Sequence, residues 1–83
     1  MHLHNAVALR ASGLTHFNFY AGDGDEPAHV HVGRERSEAK FWLDPPRLSR
    51  SRGFATWEIR RISDLVEEHH RLLLESWHEF FHR

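Results

Sequence analysis

The sequence predicts an α+β domain: a small antiparallel sheet of three to four strands, arranged as a meander, followed by two C-terminal helices packed on one face. Three observations carry this. Between residues 16 and 43 apolar and polar residues alternate, the period of strands with one buried face. From residue 55 onward the apolar spacing changes to three and four, the period of a helix. Between these zones stand two consecutive prolines and an arginine-rich stretch. A chain of 83 residues makes one domain. It divides into a weakly patterned segment over 1–15, a β meander over 16–44, a basic linker over 45–53 and a helical part over 54–83.

His16-Phe17-Asn18-Phe19-Tyr20 reads as the first strand, with Phe17 and Phe19 on one face and Tyr20 opposite. Val7 to Ser12 offers an additional strand of weaker pattern. Residues 21–27 (Ala-Gly-Asp-Gly-Asp-Glu-Pro) form an acidic, glycine-rich turn too long for a two-residue hairpin. Ala28 to Val32 is the next strand. His29 and His31 share the face opposite Ala28, Val30 and Val32, roughly 7 Å apart along the strand. After a charged turn, Glu38 to Leu43 places Ala39, Phe41 and Leu43 on one face and Lys40 and Trp42 on the other. Pro45 and Pro46 are expected to stop that strand, leaving residues 47–53 irregular.

Phe54 and Ile59 have the spacing of a hydrophobic staple around an N-cap at Ala55, and Glu58 falls where it can reach back to the cap amide. Ile59, Ile62, Val66, His69, Leu73, Trp77 and Phe80 form the apolar stripe. Trp57, Trp77, Phe80 and Phe81 read as core. One helix from Thr56 to His82 would be about 40 Å long and would overhang a domain of about 30 Å diameter. A break near His69-His70 is therefore expected. An unbroken helix serving a homodimer is the alternative.

The chain has no cysteine, which excludes disulfides and thiolate metal clusters. It has no apolar run of membrane-spanning length and no signal-peptide pattern, so a cytoplasmic setting without membrane contact is expected. Net charge is −1 with nine histidines. Arg47, Arg50, Arg52, Arg60 and Arg61 cluster against the single acid Glu58 between the prolines and Ser63. Such a cluster suits phosphates, and RNA is one partner to consider, although the chain is not basic overall.

Three site readings compete. His29 and His31 with Glu26 could ligate a divalent transition metal, with Asp23, His69 or His70 as further donors. His29, His31 and Lys40 could act as acid–base and charge-stabilising groups in phosphodiester cleavage. Trp42 with Arg47, Arg50 and Arg52 could bind a protein partner. The plain reading is that the two histidines only orient the acidic turn, which lacks the spacing of a calcium loop.

The residues from Phe19 to Phe81 also resemble the small bacterial family known as domain of unknown function 4160. The resemblance rests on Glu26-Pro27-Ala28-His29-Val30-His31-Val32, on Ala39-Lys40-Phe41-Trp42-Leu43-Asp44-Pro45, on Gly53-Phe54, and on Leu73-Leu74-Glu75-Ser76-Trp77-His78-Glu79-Phe80-Phe81. Ala55 departs from it, since relatives often have a capping serine there. The family has no agreed activity. Its genes often neighbour those of a second small family, which implies a toxin–antitoxin-like pair. On that basis the expected role is a protein-binding component whose partner is the small protein of the neighbouring gene. A metal-independent ribonuclease-like toxin using His29 and His31, and a transition-metal-binding protein, are the alternatives.

Overall fold

The computed structural model describes residues 6–7 and 15–81. Five antiparallel strands lie in chain order: β1 (Ala6–Val7), β2 (His16–Asn18), β3 (His29–Arg34), β4 (Ser37–Leu43) and β5 (Pro46–Arg52). Helices α1 (Thr56–Glu68) and α2 (His70–Phe81) follow. The α+β meander with two C-terminal helices is as expected. The additional N-terminal strand was placed over Val7 to Ser12, of which residues 8–12 lie outside the described residues.

Alternation decides the layers. Val30 pairs with Phe41 and Val32 with both Phe17 and Ala39. These side chains are buried together with Leu43, and Ile62, Val66, Leu73 and Trp77 of the helices close over them. The opposite face carries His31, Lys40 and Trp42, also in cross-strand register.

Residues 46–52 correct the sequence reading, which made them an irregular linker. Pro45 sits in the tight turn after β4, and Pro46 takes the first position of an edge strand. There its missing N–H costs no ladder bond, so the double proline turns the chain without ending the sheet. The ladder slips once: Lys40 pairs with Arg50 and Phe41 with Leu48, leaving Ser49 as the extra residue of a bulge.

The helical region breaks where length demanded. His69 leaves helical geometry at φ −108°, ψ 17° with no glycine or proline nearby. The longest dimension of the molecule is 36 Å, shorter than one continuous helix over this region. At the α1 start Ala55 offers no capping oxygen, but its N–H donates to Glu58 Oε1 at 2.9 Å, and Arg34 pairs with the same carboxylate. Trp57, read from its spacing as core, is 62% exposed. It lies on the outer face of α1 with the exposed Arg60, Arg61 and Asp64, whereas its neighbour Glu58 is buried and paired with Arg34 of β3.

Candidate metal centre

The turn between β2 and β3 is built by a short 3-10 segment over Ala21–Asp23. It packs closely under the end of α2: a Cβ on Gly24 would stand 2.9 Å from the Phe81 ring. A side chain at Gly24 would have to displace the Phe81 ring, and the preceding residue, Asp23, lies back over the start of β3.

Asp23 Oδ2 lies 2.9 Å from His29 Nε2 and 2.7 Å from His31 Nε2. The three ligand-type atoms are all within 4.8 Å of one another. Burial pushes the Asp23 carboxyl up, but the paired imidazoles more than offset this and hold it below its ordinary range. His29 is wholly buried. Its ring meets His31, Trp42 and Trp77 at centroid distances of 5.0, 5.7 and 4.9 Å. His31 is 18% exposed at the side chain and stacks on Tyr20 at 4.3 Å. One ligand position is thus fixed by packing and the other faces solvent.

The other nitrogen of His29 sharpens the picture. Nδ1 lies 2.9 Å from the carbonyl oxygen of Pro27. A carbonyl only accepts, so Nδ1 carries the proton. In a neutral imidazole Nε2 is then an acceptor, and it faces another acceptor, Asp23 Oδ2. Either a second ring proton, which makes an imidazolium–carboxylate pair, or a metal cation between the two atoms satisfies both. An Nδ1–H held by a backbone carbonyl is also the usual outer-shell support of a metal-bound histidine.

The sequence reading placed Glu26 in the ligand set, and the structure replaces it with Asp23. Glu26 Oε1 accepts from Lys40 Nζ at 2.6 Å. That ammonium holds the Glu26 carboxyl below its ordinary range. Glu26 comes no nearer to His29 than 3.9 Å, and there to the protonated Nδ1. Lys40, read as a charge stabiliser, is tied to Glu26 and lies 4.6 Å from the Trp42 ring centroid, so it does not join the His29–His31–Asp23 cluster. His69 and His70 sit at the helix break, where His70 Nδ1 lies 3.0 Å from Glu67 O and His69 lies near Glu68. Neither joins the cluster. Of the proposed partner residues, Trp42 is half-buried, whereas Arg47, Arg50 and Arg52 are exposed along β5. The missing signal for Asp23 is its six-residue separation from His29. Only the 3-10 turn closes that gap.

Residues 15–78 match the family described as Domain of unknown function (DUF4160). No curated protein and no solved structure matches the chain. Among the described residues no helix is long and apolar enough to cross a membrane.

Proposed function

The chain belongs to the DUF4160 family, and from that premise we propose that it is a transition-metal-binding domain whose protein ligands are His29, His31 and Asp23. The observation that carries this is the convergence of His29 Nε2, His31 Nε2 and Asp23 Oδ2 on one point, with His29 oriented by the Pro27 carbonyl on its Nδ1. Bonds of about 2.0–2.1 Å at tetrahedral angles set ligand atoms about 3.3 Å apart. The carboxylate–imidazole distances of 2.9 and 2.7 Å open slightly to reach this, while the two imidazole nitrogens, which stand within 4.8 Å of each other, close toward the ion. Two imidazoles and one carboxylate suit Zn²⁺ and other late divalent metals, and three protein ligands leave a coordination position open to water or a ligand. Bound there, the metal would supply Lewis acidity at the half-exposed end of the site.

The test is titration of untagged, chelator-stripped protein with Zn²⁺ by calorimetry and with Co²⁺ by visible absorption. One tight equivalent is expected, weakened at least tenfold in Asp23→Asn and in His31→Ala. Nine histidines can give weak background binding, so a titration indifferent to both substitutions would refute the site.

A further inference from the structure

The bulge in β5 changes where its arginines point. Arg47 and Arg50 are three residues apart and in a regular strand would face opposite sides. Ser49 adds one residue to the phase, so Arg47, Arg50 and Arg52 stand opposite Trp42, Lys40 and Glu38. All three therefore rise from the face away from the hydrophobic core. Through β3 the register continues as two rows across the sheet, His29–Trp42–Arg47 and His31–Lys40–Arg50. The rows are roughly 7 Å apart and each spans about 10 Å between its outer strands.

One face thus carries guanidinium groups at one side, the imidazoles at the other, and Trp42 between them. Tyr20, 51% exposed, stacks on His31 at the imidazole side. Lys40 is neutralised by Glu26, and Arg52 lies 3.4 Å from Glu38. Among the described residues no carboxylate pairs with Arg47 or Arg50, which leaves two exposed guanidinium groups on neighbouring rows.

We propose that this face binds single-stranded nucleic acid. Arg47 and Arg50 hold successive parts of the phosphate backbone, Tyr20 and Trp42 contact bases, and a phosphate oxygen reaches the open position of the metal. The last contact rests on the metal reading above; the first two do not. Guanidinium groups interleaved with aromatic rings on an antiparallel sheet suit unpaired bases and a phosphate chain. A second copy paired through β5 is disfavoured, because it would set arginines against arginines. A partner strand added to β5 meets Pro46, a bulge and a row of charges, each of which blunts an edge.

Fluorescence anisotropy with a labelled single strand of about ten nucleotides tests this. Chelator-stripped protein at low salt is expected to bind it. Arg47→Ala/Arg50→Ala should weaken binding at least tenfold and reduce the salt slope by about 1.4, at roughly 0.7 per phosphate lost. Arg47→Lys/Arg50→Lys, which keeps the charge, should retain the slope. Both arginines are exposed, and circular dichroism will verify that the variants fold. One equivalent of Zn²⁺ should tighten binding by the parent, and Asp23→Asn should lose that tightening. A parent protein that binds without a zinc effect would overturn the metal contact and leave the arginine face standing. Absence of binding at low salt, an unchanged Arg47→Ala/Arg50→Ala variant, or equal binding of a poly-glutamate peptide would overturn the nucleic-acid assignment. Stronger binding of duplex would overturn the single-strand specificity.

Discussion

The two histidines of β3 differ in what they can lose: His29 is enclosed by Trp42 and Trp77, whereas His31, two residues on, keeps one edge in solvent. Both reach the same oxygen of Asp23, so their chemistry is shared but their structural roles are not. The sequence suggests that replacing both would spare the fold, because apolar residues avoid their strand face. The burial of His29 argues the opposite for one of the pair.

His31→Ala is therefore expected to abolish tight metal binding with little change in stability. His29→Ala is expected to do both kinds of damage. It leaves a cavity beside two indole rings and strips the Pro27 carbonyl of its donor, costing about 2–4 kcal/mol. Urea unfolding of the metal-free single variants measures this difference directly. Equal stabilities would contradict the packing described for His29.

The tryptophans of the two helices provide a second contrast. Trp77 is 4% exposed, meets Phe19 edge-on at 5.8 Å and Phe81 at 4.2 Å, and lies over His29. Trp77→Ala should cost about 3–5 kcal/mol, a large part of the ~4–12 kcal/mol available to a domain of this size. Trp57→Ala, on the exposed first turn of α1, should stay within about 0.5 kcal/mol of the parent. Thermal melts of the two variants measure this contrast, and equal losses would contradict the burial of Trp77.

The pattern of errors in the sequence reading follows the physics. Periodicity located β2, β3, β4 and both helices, because each has one apolar face and one polar face. It placed the helix break by length alone, since His69 and His70 carry no breaker. It missed β5, because only Leu48 on that strand is apolar and the two prolines imitate a stop. It also chose Glu26 over Asp23. Both acids lie in the same turn, and alternation does not extend into a 3-10 segment. Trp57 was misread because its apolar ring suggested core, although three- and four-residue spacing sets it with Arg60, Arg61 and Asp64 rather than with Ile62 and Val66.

Gly53 closes the turn from β5 into α1 at φ +90°. A side chain there meets two obstacles: a conformation that L-residues rarely adopt, and Ser37, whose Oγ and Cα lie 2.7 and 3.0 Å from an added Cβ. Ser37 begins β4, so the neighbour cannot retreat without disturbing the hairpin. Gly53→Ala should destabilise the domain by about 1–3 kcal/mol, measurable as a lower urea midpoint with an unchanged slope. A neutral or stabilising result would mean that the turn relaxes to negative φ.

Glu58 ties the helix start to the sheet. Hydrogen bonding to Arg34 of β3 is the largest influence on its carboxyl and holds it below its ordinary value, with the Ala55 N–H acting in the same direction. Arg34 is raised correspondingly, with Glu58 as the main cause. A carboxyl whose folded pKa is depressed contributes stability above its unfolded pKa, about 4.3. That contribution is lost as pH falls through the lower folded value. Glu58→Gln should therefore be less stable than the parent at pH 7, and the gap should close progressively on acidification below about pH 4.3. Denaturant melts of both proteins at several pH values isolate this effect from the other carboxylates, which titrate in parent and variant alike. A gap that persists unchanged into strong acid would show that Glu58 acts through shape rather than charge.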